Sequence, residues 1–212
     1  MKDEKVSTRL RFPEDEKLRP WLPLLLDAFA IIDKGLNKAI EEHEKKCKSI
    51  LACKKGCGSC CRTHSDIPLY PLEMVGIYWY TIEKVGQPLR GIIKRQLLEH
   101  RKGHSCPFQV DNACAIHIFR PLACRQFNVF SAPCAEGEDP YYTRRKDVLT
   151  PSEKVAGRAI MAMLPFYGIT DAAAQARAVK SGLIHTQVRV LQACNWKELA
   201  LRMDQFDITK KR

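Results

Sequence analysis

The sequence predicts a mainly α fold, a small helical domain built around an irregular cysteine-rich core. Apolar residues recur at spacings of three and four along several stretches, which is typical of amphipathic helices. No alternation of strands and helices is visible, which disfavours a Rossmann fold or a TIM barrel. Four of the ten cysteines lie within the nine residues Cys53–Cys61, and the segment that holds most of the others is irregular.

Composition narrows the class of protein. The chain has 212 residues and 45% hydrophobic content, which suits one domain with a real core, or a domain with a helical appendage. The net charge is +11, but the lysines and arginines are scattered and no nucleic-acid recognition motif accompanies them. We therefore expect no nucleic-acid partner, and we expect the partner to be another protein.

The N-terminal residues and the apolar runs predict a cytoplasmic protein. Residues 1–17 are polar and lack the apolar region of a secretory signal. The most apolar run, Leu22 to Ile32, is interrupted by Asp27 and is too short to span a bilayer. In a reducing compartment, the cysteines are expected to bind metal rather than to form disulfides.

Residues 1–50 are predicted to form an N-terminal arm and an amphipathic helix. Residues 1–19 are interpreted as a solvated arm, and Pro20 and Pro23 suit the start of the helix. One apolar face then extends to about Lys48, formed by Leu22, Leu25, Phe29, Ile32, Leu36 and Ile40. Such a face packs in a core more often than it binds a partner helix.

Residues 51–140 are predicted to form the cysteine-cluster metal-binding domain. An extended piece precedes Pro71, which opens a helix that ends near Gly86. Pro88 opens a further helix that ends near Gly103. Residues 104–140 are irregular, and a segment of this length inside a compact domain needs cross-links, which bonds from cysteines to metal would supply.

Residues 141–212 are predicted to form a C-terminal helical extension that packs on the cysteine domain. Thr150 to Glu153 match a capping box, and Asp171 begins an alanine-rich helix that Gly182 can end. Asn195 suits the start of the last helix. Residues 183–192 alternate as a strand does and stay ambiguous.

The stretch Cys53–Cys61, CKKGCGSCC, is the strongest signal in the chain. Thiolates two or three residues apart can turn onto one ion or cluster, and such groups bind zinc, iron or iron–sulfur clusters. Adjacent side chains point in different directions, so Cys60 and Cys61 are not expected to serve one site equivalently. Buried core thiols without metal are the alternative, which the lysines and glycines of the stretch make a poor one.

The stretch Cys53–Cys134 resembles the YkgJ-like cysteine-cluster family, CxxCxxCC, described as zinc- or iron-chelating. The resemblance follows the first cluster, the helix start Pro71-Leu72-Glu73, the sequence Cys106-Pro107-Phe108 and the signature from Cys114 to Arg125. His117 departs from the pattern, where an aromatic residue is more usual. The resemblance implies eight metal ligands, namely Cys53, Cys57, Cys60, Cys61, Cys106, Cys114, Cys124 and Cys134.

Other residues near the cysteines have two interpretations each. Arg120 and Arg125 are predicted to bind the cofactor, by donating N–H bonds to the Cys124 sulfur or to a bound anion, and surface salt bridges are the alternative. Three histidines could be metal ligands, or could lie outside the ligand set, namely His64, His104 and His117. Two cysteines outside the pattern, Cys47 and Cys194, are expected to be ordinary thiols.

Together these patterns predict a cysteine-ligated metalloprotein that binds an iron–sulfur cluster, [4Fe–4S], or iron, in redox or protein-modification chemistry. A cubane needs four cysteines, so eight allow one cluster with spare thiols or two metal sites. The alternative is a zinc-binding structural or protein-interaction module without catalysis. A thiol–disulfide oxidoreductase using Cys57 and Cys60 is a weaker third hypothesis, because the thioredoxin-like context is missing.

Overall fold

The computed structural model describes residues 9–54 and 56–210 and confirms a mainly α fold. The helices are α1 (Pro13–Leu18), α2 (Trp21–Cys47), α3 (Ser59–Thr63), α4 (Pro71–Glu83), α5 (Leu89–Glu99), α6 (Leu122–Gln126), α7 (Pro140–Thr143), α8 (Glu153–Met163), α9 (Ala172–Ser181) and α10 (Trp196–Lys210). The strands are β1 (Pro68–Leu69), β2 (Gln109–Val110), β3 (Ala113–Cys114) and β4 (Arg189–Val190).

The N-terminal segment is structured from Arg9 onward, so the prediction of a solvated arm is wrong for residues 9–19. Arg9 forms ion pairs with Glu16, at 2.9 Å, and with Asp27. The Phe12 ring meets the Trp79 ring edge-on, with 5.2 Å between centroids. An apolar ring and paired charges therefore attach this segment to the helices. The part of the predicted arm before Arg9 lies outside the described residues.

Helix α2 confirms the predicted amphipathic helix and its role in core packing. Six of its residues are buried on one face, namely Leu22, Leu25, Leu26, Ala28, Phe29 and Ile32. The helix ends where Lys48 adopts a left-handed conformation with φ of 52°. This face packs against α8, so helices from the two ends of the chain share one core.

Two hydrophobic cores meet at α4. The first joins α2, α4, α8 and α9 around Phe119, and the second joins α4, α5 and α10 around Trp196 and Phe108. Gly76 lets α4 approach α2 closely, because a Cβ at that position would lie 2.3 Å from a methyl carbon of Leu25. The second core also contains several of the cysteines. The division of the chain into three parts stays a prediction.

The middle of the chain follows the predicted order of elements. Helices α4 and α5 begin at or one residue after the predicted prolines and end at Glu83 and Glu99, a few residues before the predicted glycines. The irregular segment contains an antiparallel hairpin, β2 with β3, whose turn residues Asp111 and Asn112 have positive φ. Such residues suit a tight hairpin turn.

The C-terminal helices begin close to the predicted positions, with one correction. The N-cap of α8 is Ser152, whose Oγ accepts the Val155 N–H at 3.4 Å, and Thr150 is not the cap. The Thr150 hydroxyl instead accepts a bond from Arg145 at 3.4 Å. Helix α9 has its N-cap at Asp171 and ends at Gly182, as predicted. The ambiguous stretch forms 3₁₀ turns around β4, which pairs with β1.

None of the helices in the described part of the chain has both the length and the apolar character that crossing a bilayer requires.

Candidate metal centre

All eight cysteines of the predicted set are free thiols, and seven of them fall into two groups. We call Cys61, Cys106, Cys114 and Cys124 the inner group. We call Cys53, Cys57 and Cys134 the outer group. Cys60 lies between the groups, because its thiol is in hydrogen-bond contact with that of Cys61 and also lies within electrostatic reach of Cys53.

Backbone hydrogen bonds bring three members of the inner group together from distant parts of the chain. The Cys106 N–H donates to the Cys61 carbonyl at 2.9 Å. Cys114 pairs with Gln109 across the β2–β3 hairpin, and Gln109 lies three residues after Cys106. The Gln109 side-chain amide donates to the Gly58 carbonyl at 3.1 Å, which connects the hairpin to the start of α3.

Gly58 is needed where α3 meets the hairpin. A Cβ at this position would lie 2.5 Å from the Asn112 carbonyl oxygen and 2.5 Å from the Gln109 side-chain nitrogen. Contacts this short do not occur with a real side chain. Glycine therefore allows the turn before Cys60 and Cys61 to approach the hairpin that carries Cys114.

Cys124 lies on the short helix α6, which a buried carboxylate holds in place. Glu73 is 1% exposed, and it accepts the Leu122 N–H at 2.6 Å and the Tyr70 N–H at 2.9 Å. One carboxylate thus caps the first turns of both α4 and α6.

A cavity of about 180 Å³ opens beside α6. It is lined by Cys60, Cys124, His64, Asp66 and Phe127, among others.

Two of the inner thiols, those of Cys61 and Cys106, are in hydrogen-bond contact, and burial raises the pKa of three members of the group. A thiol–thiol hydrogen bond with Cys106 is the largest cause that raises the pKa of Cys61 to about 12. Burial raises the pKa of Cys124 well above its ordinary value, and burial also raises that of Cys114. These thiols hold their protons near neutral pH, so a metal that binds them must displace protons.

The outer group lies where two irregular segments run side by side. The Ala52 N–H donates to the Val129 carbonyl at 2.8 Å, and the Val129 N–H donates to the Cys53 sulfur at 3.3 Å. Burial raises the pKa of Cys134, and repulsion from Cys53 and Cys57 adds to that rise. Cys57 is exposed and its sulfur lies 4.0 Å from the Ser59 hydroxyl.

The donors fit a soft metal in kind, although they are not closed around one. Within residues 9–54 and 56–210, no three cysteine, histidine, aspartate or glutamate side chains already converge as a metal site. The two groups are nevertheless all sulfur, and thiolates are the ligands of zinc, iron and iron–sulfur clusters. Metal binding would therefore require the thiols to lose protons and to draw together.

The two arginines have different surroundings. Arg125 is 4% exposed, and its guanidinium binds Asp33 at 2.7 Å and the carbonyls of Arg120 and Ile118. The guanidinium also lies 3.9 Å from the centre of the Phe29 ring. Each of its three nitrogens donates to a protein group. Its predicted cofactor contact stays a prediction.

Arg120 stands between the two groups of thiols. Its charge lowers the pKa of both Cys53 and Cys114, against the larger effect of burial. One of its terminal nitrogens contacts the His117 ring. Its Nε is buried and has no hydrogen-bond partner in the described structure. A buried N–H donor beside thiolates suits an anionic metal–sulfur group.

The other candidate histidines and the two cysteines outside the pattern differ in their contacts and exposure. His64 packs edge-on against Phe127, and its Nε2 lies 3.5 Å from an Asp139 carboxylate oxygen. His104 is exposed. Cys194 donates to the Val190 carbonyl at 3.4 Å, and Cys47 is exposed at the end of α2.

The sequence interpretation missed two residues that position the site. Glu73 was noted only as part of the family pattern, and no role was predicted for Asp33, the partner of Arg125. Both act on residues far along the chain, so periodicity could not reveal them. A glutamate three residues into a proline-led helix is a capping signal, and it could have suggested half of the role of Glu73.

One of the comparisons with known proteins gave a match. Residues 52–148, just under half of the chain, match the family model described as "CxxCxxCC: Putative zinc- or iron-chelating domain". The predicted resemblance is thus confirmed over this segment, which contains the seven cysteines of the two groups and Cys60. Metal chelation is the property that this description gives the family. The searches of curated proteins and of solved structures gave no match.

Proposed function

We propose that the chain is an iron–sulfur protein of the cytoplasm whose inner group holds a [4Fe–4S] cluster used in redox or protein-modification chemistry. The observation that carries the proposal is the inner group itself. Cys61, Cys106, Cys114 and Cys124 come from four separate segments, lie in or against a hydrophobic core, and include no nitrogen or oxygen donor. A cubane cluster is held by four cysteine thiolates.

The surroundings of the inner group favour a cluster over a single ion. A zinc ion in four thiolates needs no space beyond the sulfurs, whereas a cluster brings four more sulfur atoms and three more metal atoms. The cavity of about 180 Å³ that Cys124 lines together with Cys60 offers room beside one of the four inner thiols. The buried Nε–H of Arg120 could donate to a cluster sulfide, and such hydrogen bonds tune iron–sulfur centres.

The chain's own residues would control access and charge. The second core covers one side of the inner thiols, and the cavity at Cys60 and Cys124 provides the approach from the other. Arg120 would offset part of the negative charge of the thiolates. A bound cluster supplies one-electron chemistry, and the reaction partner is proposed to be another protein.

The test is metal and acid-labile sulfide content of the full chain, purified without air, with an absorption spectrum of the same sample. We expect iron and sulfide in equal amounts and a broad band near ~400 nm, which cysteine-ligated clusters give. Cys124→Ser should remove most of the band. Cys194→Ser is the matched control, since Cys194 lies away from both groups, and it should leave the band unchanged.

Zinc without sulfide would contradict this proposal. The chain would then be a structural or protein-interaction module, because zinc closed by four thiolates leaves no open position for chemistry. Equal loss of iron in the Cys124 and Cys194 variants would also contradict it, since the inner group would not then be the ligand set.

A further inference from the structure

We propose that the eight cysteines form two separate four-thiolate sites, the second of which holds a single divalent cation of the zinc type. The inner site is Cys61, Cys106, Cys114 and Cys124. The second site is the outer group completed by the neighbour of Cys61, and it consists of Cys53, Cys57, Cys60 and Cys134. The inner part of this inference rests on the proposed function, whereas the outer site does not.

The outer site is defined by its own backbone pairing, independent of the inner group. Leu51 and Phe130 form an antiparallel bridge, and the Ser131 N–H donates to the Ile50 carbonyl at 2.9 Å. These bonds place the segment before Cys53 beside residues 129–131. The chain then turns at Ser131, which has a positive φ of 69°, and Cys134 comes within electrostatic reach of Cys53 and Cys57. The Cys53 sulfur also accepts the Val129 N–H at 3.3 Å, which orients it in this second location.

Cys60 completes the outer site because of its position on α3. Side chains that are adjacent on a helix diverge by about 100°, so Cys60 and Cys61 do not face one centre equivalently, although their thiols are in hydrogen-bond contact where the two sites adjoin. Cys61 faces Cys106, whose backbone it also bonds. Cys60 is three residues after Cys57 and lies within electrostatic reach of Cys53. Cys60 also contacts the cavity beside Cys124, so the two sites adjoin at this residue.

A single zinc-type ion suits the outer site better than a second cluster. Cys57 is exposed and Cys53 and Cys134 are partly buried, whereas two of the inner thiols, Cys61 and Cys106, are buried. Closed tetrahedral zinc is stable toward oxygen and needs only four sulfurs at about 2.3 Å. It would clamp residues 53–57 to Cys134, beyond the backbone bonds that already pair residues 50–52 with residues 129–131.

The test compares two pairs of serine variants of the full chain, purified without air, for zinc, iron and sulfide. Cys53→Ser and Cys134→Ser should each lose about one zinc per chain and keep iron and sulfide. Cys106→Ser and Cys114→Ser should lose iron and sulfide and keep the zinc. Cys194→Ser serves as the control and should keep both metals.

A variant that fails to fold would not decide the matter, so the wild-type protein provides a second measurement. Addition of a zinc-chelating dye to the anaerobic protein should release about one zinc while the absorption near ~400 nm stays unchanged. Loss of both signals at the same rate would overturn the two-site inference. Loss of one and the same metal in all four variants would overturn it as well.

The outcomes also separate this inference from the proposed function. If both sites contain zinc and no sulfide is present, two independent losses of about one zinc each would keep the partition and reject the cluster. If iron and sulfide are present but no zinc is found under any condition, the cluster stands and the outer site is rejected.

Discussion

The buried carboxylate of Glu73 accepts the Leu122 N–H at 2.6 Å and so connects the start of α4 to the start of α6. Forty-nine positions separate these two residues in the chain. Because Cys124 lies two residues beyond Leu122, this bond also fixes the backbone that presents an inner thiol. The arrangement leads to a first prediction, about stability and pH.

Stability should fall with rising pH because of Glu73. Burial raises the pKa of Glu73 from its ordinary value of 4.5 to about 7. The folded protein therefore keeps a proton that the unfolded chain has released, so the stabilisation is complete below about pH 4.5 and is lost as the pH rises through about 7. Between pH 6 and pH 8, the free energy of unfolding should fall by about 1 kcal/mol.

Denaturant unfolding of the wild type and of Glu73→Gln at several pH values measures this effect. The glutamine variant should lack this part of the pH slope, whatever its absolute stability. Glu99→Gln, at an exposed glutamate, is the control and should retain the slope. Parallel slopes in the wild type and in Glu73→Gln would contradict the prediction.

Arg125 should stabilise the fold strongly. Removing one partner of a buried, hydrogen-bonded ion pair leaves the other charge uncompensated, so Arg125→Ala should cost about 3 kcal/mol in the free energy of unfolding. Arg202→Ala, in the exposed pair with Glu198, should cost less than about 0.5 kcal/mol. Urea unfolding of both variants tests this, and equal costs would show that burial of Arg125 is energetically unimportant.

Gly58 should be required for the inner site. In Gly58→Ala, the new Cβ would press on the Asn112 carbonyl, a backbone atom that cannot turn away. The start of α3 must then shift from the hairpin, which separates Cys61 from Cys114. We expect a loss of about 1–3 kcal/mol in stability and a lower metal content than in the wild type. Gly86→Ala, where nothing lies within 4 Å, should change neither.

Arg120 should slow the loss of metal without serving as a ligand. Its guanidinium lies near Cys53 and Cys114 and would offset the charge of bound thiolates. Residues just outside a metal's ligands typically affect affinity by about tenfold, so Arg120→Gln should release metal to a chelator about ten times faster. Arg120→Lys keeps the charge, so its rate of metal release should lie between the rates of the wild type and Arg120→Gln. Identical release from all three proteins would exclude this role.

Local features of the chain were largely predictable. Helix α2 and its buried face follow from apolar spacing, and Asp171 and Gly182 bound α9 because capping depends on a few neighbouring residues. The N-cap of α8 was misplaced because Thr150 and Ser152 both suit a cap. Which one caps the helix depends on Arg145, whose side chain donates a hydrogen bond to the Thr150 hydroxyl.

The sequence by itself determined that this is a mainly helical protein whose eight clustered cysteines match the pattern of a metal-chelating family. Spacing, composition and the family pattern all act within short stretches of chain, and they are visible there. Only the tertiary structure decided which thiols meet. The Cys106 backbone bonds to Cys61, and Cys53 bonds to Val129, through contacts between segments far apart in the chain. Such contacts depend on how the helices pack, because burial and hydrogen bonding act on distance in space rather than along the sequence.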